Sequence, residues 1–340
     1  MIIPIIFAVF TTALALTCFL SRPTCRWQWL DYPNDRSLHQ RPTPRTGGLA
    51  VLGGGLTGGF LLAVFVPAAY PLLIGLSLGL PPLIVVAWFD DQRGIAVGWR
   101  LVVHVWAALS LVLIDRVPQA LYLPGLSWQP PEWAVMSLLA LFVVWMINLY
   151  NFMDGMDGFA GGMAVIGFSA LAWLGRADAG FSAVCLIVAA ASAGFLVFNF
   201  PPARIFLGDI GSTILGFLAA ACGLWGYQAG LFPFWALLLI FSPFIVDATV
   251  TLARRLLRGE KVWQAHRSHY YQRLVLLGWG HRRTVLAEYA LMLACAGSAL
   301  LAVHWPPAGR IALVVVWSLI YGLLMEGVSW LERRRYALAD

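Results

Sequence analysis

The chain has 340 residues, of which 61% are hydrophobic and only 11% charged, with a net charge of +6. Soluble domains carry about 25% charged residues, so the composition excludes an ordinary soluble fold and points to a chain that crosses a membrane many times. The positive charge is almost all Arg, Lys261 being the only lysine, and its placement beside apolar segments argues against a nucleic-acid partner.

A spanning helix needs about 20 apolar residues. Eleven segments qualify: 2–20, 47–68, 72–89, 99–115, 133–150, 158–174, 181–199, 211–229, 232–253, 285–303 and 309–330. The first has no basic leader and no clear small-residue cleavage site, and reads as a retained helix rather than a signal peptide. The connections are short, so residues 1–340 read as a single transmembrane domain, an all-α polytopic helix bundle. The five cysteines form no CxxC pair, which indicates neither a disulfide framework nor a zinc site.

Charge sets the orientation. The loops 21–46, 90–98, 151–157, 200–210 and 254–284, with Arg100 just past the second of them and the C-terminal tail, hold nineteen of the 22 Lys and Arg residues. The other side holds Arg116, Arg176 and Arg310. Basic loops stay in the cytoplasm, which places the N-terminus outside and the C-terminus inside. Asp31, Asp35, Asp90, Asp91, Asp154, Asp157, Asp209 and Glu260 fall on the same face as the basic loops, as do His39, His266, His269 and His281. Chemistry therefore gathers where charged, water-soluble substrates are found.

Five polar clusters stand out along the chain. The basic, Pro-rich stretch DYPNDRSLHQRPTPRTGG (31–48) leads into the second span and reads as an ordered turn or a positive anchor. FDDQRG (89–94) ends the third span with adjacent aspartates, whose repulsion raises one pKa unless a cation is near. NLYNFMDGMDG (148–158) ends the fifth span with Asn148, Asn151, Asp154 and Asp157 at intervals of three. Asn and Asp oxygens are hard donors suited to magnesium, and helical spacing puts Asn151 and Asp154 on nearly one face. FLGDIGS (206–212) opens the eighth span, where Asp209 suits an N-cap and the helix N-terminus attracts phosphate. AHRSHYYQRL (265–274) carries His266 and His269 at i, i+3, on one face if helical, with Arg267 and Arg273 available to a phosphate. In addition Asp247 lies inside the ninth span, two turns above Arg254, and is either a functional intramembrane acid or half of a buried ion pair.

Together these stretches resemble the polyprenyl-phosphate N-acetylhexosamine-1-phosphate transferases, which include the muramoyl-pentapeptide and GlcNAc-1-phosphate enzymes. The resemblance runs from Asp31 to Leu274. It implies ten or eleven helices and dependence on magnesium, with manganese as a substitute. It also implies transfer of a sugar-1-phosphate from a UDP-N-acetyl sugar to undecaprenyl phosphate in the bacterial cytoplasmic membrane, with release of UMP, and it admits a homodimer. Matched motif by motif, Asp209 resembles the magnesium ligand and Asn151 its second contact. Asp90 and Asp91 resemble the carboxylate pair near the lipid phosphate, and Asp154 and Asp157 the nucleotide-side contacts. Phe206 would stack near the uracil, and His266 and His269 would meet the pyrophosphate. Arg45, Asn148 and Arg267 join the substrate-binding set. The AHRSHYYQRL variant is similar to the subgroup that initiates O-antigen repeats, some of which use N-acetyl-6-deoxyhexosamines, and so leaves the sugar open.

Two other classes compete. A secondary transporter would also bury an acid such as Asp247, but would place its polar site near the midplane with a mirror in the second half. A CDP-alcohol phosphotransferase would need a compact DG…AR…G…D…D run that is absent.

Overall fold

The computed structural model describes residues 2–34, 37–114, 121–124, 126–264 and 266–337. Asp35, Arg36, Arg116 and Ala265 of the motifs and charge pattern lie outside them. The helices are α1 (Ile2–Leu20), α2 (Gly47–Phe65), α3 (Tyr70–Arg93), α4 (Val97–Ile114), α5 (Glu132–Met153), α6 (Phe159–Leu174) and α7 (Ala179–Asn199). They continue with α8 (Gly208–Gln228), α9 (Phe234–Ile240), α10 (Ser242–Leu257), α11 (Tyr270–Leu274), α12 (Gly280–Ala302) and α13 (Pro307–Ala337). Two small antiparallel ladders interrupt the helices: β1 (Leu30–Asp31) with β2 (Thr43–Pro44), and β3 (Leu121–Leu123) with β4 (Leu126–Trp128).

Among the described residues, eight helices are long and apolar enough to cross a membrane, and the pair α9–α10 makes a ninth if counted as one span. This is a polytopic, predominantly helical membrane protein. The expected fourth and sixth spans correspond to shorter apolar helices, Val97–Leu113 and Phe159–Leu174. The expected ninth span, 232–253, is broken by a 78° bend. The cause lies in the sequence: Pro243 has no amide hydrogen and its ring collides with the carbonyl four residues back, so the helix restarts at Ser242. Ser242 Oγ meets the Tyr321 hydroxyl at 2.6 Å and so ties the break to α13.

The best-buried span is α8, with 89% of its apolar window inside the protein. Small residues allow this, because close helix approach within a membrane depends on side chains that do not keep backbones apart. A Cβ at Gly216 would lie 2.6 Å from the Met146 carbonyl oxygen, and one at Gly48 would lie 2.3 Å from the Gly211 nitrogen. The N-terminus of α8 thus sits against the start of α2 and the end of α5. The expected loops also shrink. Helix α3 runs on through Asp90 and Asp91, α5 through Asn151, and α10 through Arg254 and Arg255, so these residues occupy rigid helix ends rather than loops.

Candidate active site

The polar ends of α3, α5 and α8 and the N-terminal end of α6 meet at one end of the bundle. Asp91, in the last turn of α3, caps α8: its Oδ1 accepts from the Asp209 amide at 3.0 Å and its Oδ2 from the Ile210 amide at 3.1 Å. Arg45 braces this contact, donating to the Asp91 carbonyl and holding Nε 3.8 Å from Oδ1. Gly208 makes the approach feasible. Its φ is left-handed, at +75°, and a Cβ there would lie 2.3 Å from the Arg45 carbonyl oxygen.

Asp209 follows in the first turn of α8. Its Oδ1 accepts from Asn151 Nδ2 at 2.6 Å, and the same nitrogen lies 3.2 Å from Ser212 Oγ. Asn151 therefore serves Asp209 as a donor and would offer a cation only its amide oxygen. Asp154 stands at the end of α5. Burial, with the Asp209 and Asp91 carboxylates next, pushes its carboxyl well above the usual carboxylate range, against a hydrogen bond from the Gly208 backbone. That crowding of acids is the electrostatic setting a divalent cation relieves. Among the described residues no three His, Cys, Asp or Glu side chains form a closed metal cage. Magnesium takes few protein carboxylates and fills the rest of its shell with phosphates and water, so the donor set of Asp209, Asp154 and the Asn151 oxygen fits it.

Asp90 points away from its neighbour. Its Oδ1 accepts from the Ile95 amide at 2.6 Å and its Oδ2 from Arg100 Nη1 at 2.8 Å. Asp157 is also held, 2.9 Å from His281 Nδ1 and accepting from the Ala203 amide at 2.9 Å.

Two cavities, each about 370 Å³, meet at Asn151, Asp154, Gly155 and Gln272. The polar one takes in Arg45, Asp91, Asp157, Phe206 and Asp209, and the first loop closes it through Asp31, Leu38 and His39. The His39 ring stands edge-on to Phe206, with centroids 4.9 Å apart. The second cavity takes in Asp90, Asn148, His266 and His269, then descends along Leu83, Ala87 and Leu101.

A family model, described as glycosyl transferase family 4, matches residues 73–227, from α3 to the end of α8, and so spans Asp90, Asp91, Asn151, Asp154, Asp157 and Asp209. Over this stretch the chain is similar to glycosyl transferase family 4. It is similar to a probable undecaprenyl-phosphate N-acetylglucosaminyl 1-phosphate transferase of Bacillus subtilis, 27% identical over 82% of this chain and 79% of the relative. An undecaprenyl-phosphate alpha-N-acetylglucosaminyl 1-phosphate transferase of Escherichia coli O157:H7 is 27% identical over 94% of this chain and 89% of its own length. A phospho-N-acetylmuramoyl-pentapeptide-transferase of Picosynechococcus is 29% identical over 75% and 73%.

Around this site several expected partnerships take a different form. Asp247 does not pair with Arg254, which donates to the Tyr270 hydroxyl at 2.6 Å. Instead the Asp247 carboxylate accepts from the Tyr270 and Tyr271 amides at 3.0 and 3.1 Å and from Thr251 Oγ1 at 3.0 Å, with His269 Nδ1 at 3.2 Å. Residues 266–269 are not helical. His269 is the N-cap of α11, and its ring lies beside that of His266 at 4.8 Å through this turn rather than through helical spacing. Arg273 is held by Glu332 of α13 at 2.8 and 2.5 Å. Arg267 is exposed and lines neither cavity. Sequence reasoning passed over Arg100 and His104, which border the second cavity. Arg100 had counted only toward orientation. His104, inside an apolar helix, met the same intramembrane criterion that singled out Asp247.

Proposed function

We propose that this protein transfers an N-acetylhexosamine 1-phosphate, or its 6-deoxy counterpart, from a UDP-sugar to undecaprenyl phosphate and releases UMP. The observation that carries this reading is the junction of a polar cavity holding Phe206 and a second cavity descending between apolar helices, with Asn151 and Asp154 where they meet and Asp209 bonded to Asn151 on the polar side. A water-soluble nucleotide and a membrane-borne acceptor need such separate approaches to one point. The names of the relatives, all polyprenyl-phosphate or pentapeptide sugar-phosphate transferases, support the same reaction class. The cleft faces the cytoplasm of a bacterial cell, in the cytoplasmic membrane, as the basic loops around it indicate. Its product opens O-antigen or other envelope glycan synthesis.

The lipid phosphate attacks the phosphorus next to the sugar. The new P–O bond forms as the bond from that phosphorus to the bridging oxygen breaks, and UMP leaves with the electron pair. A phosphate monoester has its second pKa near 6, so the attacking group is mostly dianionic at pH 7 and needs no base. Positioning and charge neutralisation are what the protein must supply. A magnesium ion held by Asp209, Asp154 and the Asn151 oxygen would neutralise pyrophosphate charge. Asn151 orients Asp209, Asp91 and Arg45 hold the helix that carries it, and Asp90 orients Arg100 toward the second cavity. Phe206 stacks on the base, Asp157 shapes the pocket wall beside it, and His266 and His269 border the sugar and pyrophosphate.

A transporter centred on Asp247 gains no support, because the donors around that carboxylate account for its burial. The test is purified protein with magnesium, undecaprenyl phosphate and a panel of radiolabelled UDP-N-acetyl sugars. Butanol-extractable label with one of them supports the reading and names the sugar. No label with any of them refutes it.

A further inference from the structure

His104 lies within α4 and borders the second cavity, yet only 7% of it is exposed. Its neighbour Asn148 fixes its chemistry. Asn148 Nδ2 lies 2.7 Å from the Val144 carbonyl, which only accepts, so the amide nitrogen belongs at that position. The same nitrogen lies 3.2 Å from His104 Nδ1. An NH2 group donates, so Nδ1 accepts and the neutral ring carries its proton on Nε2. Among the described residues Nε2 has no hydrogen-bond partner, and it is not one of the polar atoms sealed from solvent. A donor therefore faces the cavity from within a membrane helix.

What it would meet follows from the surroundings. Arg100 stands four residues earlier on the same face of α4 and lines the same cavity. Leu83, Ala87 and Leu101 supply apolar wall around the two. Leu101 is also 48% exposed, which offers this part of the cavity a sideways way out toward the bilayer. A cation, a neutral donor one turn deeper and an apolar side exit match a phosphate carried on a long hydrocarbon chain.

We infer that His104 binds the phosphate of the acceptor lipid, its Nε2–H donating to a phosphate oxygen beside the Arg100 guanidinium while the isoprenoid chain leaves past Leu101. This rests on reading the cleft as a transferase site with a lipid acceptor. Two substitutions separate the two ring nitrogens. His104→Asn keeps an acceptor near Nδ1 for Asn148 and removes the Nε2 donor. His104→Gln keeps a donor near Nε2 and removes the acceptor.

The experiment measures binding of undecaprenyl phosphate, and of undecaprenol as the control without phosphate, to purified protein by native mass spectrometry, alongside KM for each substrate. A hydrogen bond to a charged group contributes about 1.5–3 kcal/mol, so its loss corresponds to roughly tenfold or more in affinity. His104→Asn is expected to weaken undecaprenyl phosphate binding and raise its KM by about that factor, with undecaprenol binding and the UDP-sugar KM unchanged. His104→Gln is expected to stay close to wild type. The reverse order would reduce His104 to a support for Asn148 and overturn the inference. So would a shift confined to the UDP-sugar KM, or wild-type protein that binds the phosphate no better than the alcohol. Wild-type protein that prefers the phosphate through His104 but transfers no sugar phosphate would uphold the inference and sink the transferase reading.

Discussion

Asp91 bonds with both carboxylate oxygens to the first amides of the helix that carries Asp209, at 3.0 Å to the Asp209 amide and 3.1 Å to that of Ile210. A helix N-terminus has four amides without intrahelical partners and a partial positive charge. Asp91 satisfies two of the four. The adjacent acids thus face different helices: Asp91 holds α8, and Asp90 holds Arg100 of α4.

This division predicts unequal losses. Asp209→Ala removes the carboxylate beside the cavity junction, in the polar cavity, and should abolish transfer while leaving the unfolding temperature near wild type. Residual activity above about a few per cent would sink its assignment, since a preorganised charge at the reacting centre is commonly responsible for 100-fold or more. Asp91→Ala removes a cap and should cost about 0.5–2 kcal/mol of stability, visible as a lower thermal midpoint, with activity falling because Asp209 loses its mounting. Asp91→Asn keeps one acceptor and should fall between.

Legibility in the sequence followed locality. Helical rotation alone put Asn151 and Asp154 together, and both border the seam between the cavities. Each three-residue step turns about 60° short of a full circle, which is why Asn148 drifts away to His104. Pro243 announced the break after Phe241, although the eleven-span count passed over it. What could not be read was any partner far along the chain. Asp91 and Asp209 are 118 residues apart, and Tyr270 answers Asp247 from 23 residues away. Arg254 lay at the right helical spacing for Asp247, yet backbone amides at the start of α11 took the carboxylate instead. The two-cavity form of the site was likewise invisible, because it arises from how α3, α4 and α5 pack.

Asp90 and Arg100 should act as a unit. Arg100 is one-third exposed and lies 2.8 Å from the buried Asp90 carboxylate, which also takes the Ile95 amide. With both oxygens of Asp90 engaged, its proposed role is to aim the guanidinium rather than to take a proton. Asp90→Asn and Arg100→Gln should each lower kcat/KM for the lipid, and the double variant should lose little more than the worse single one. Residues in contact show coupling of about 0.5–3 kcal/mol. Full additivity would mean that the two act independently. A base role for Asp90 would instead leave Arg100→Gln active.

Asp247 offers a test between scaffold and transport site. Removing its carboxylate leaves the Tyr270 and Tyr271 amides and the Thr251 hydroxyl without their acceptor, and an unsatisfied buried group costs about 1–3 kcal/mol. Asp247→Ala should therefore lower the unfolding midpoint strongly and disturb the His269 turn, with Asp247→Asn milder in both. A transport acid would behave in the opposite way, losing function with stability intact. Thermal unfolding of the two variants, read against transfer activity, decides between these.

His266 sets an acid-side limit on stability. Burial, followed by the neighbouring charges of His269 and Arg255, pulls its imidazole down from 6.5 to about 4, while Glu260 and Asp247 pull weakly the other way. Above pH 6.5 the ring is neutral in both folded and unfolded chains and contributes no pH dependence. Between pH 6.5 and about 4 the unfolded chain binds a proton that the folded one refuses, so stability falls as pH falls through this window and levels off below it. His266→Gln has no proton to bind in either state. Its unfolding midpoint should therefore drop less than that of wild type between pH 7 and pH 5. Equal drops in the two proteins would show that His266 titrates normally. Because the folded ring stays neutral from pH 6 to 8, it could donate or accept one hydrogen bond at the proposed pyrophosphate site but would supply no charge there, which would leave neutralisation to Arg100, Arg45 and the proposed magnesium ion.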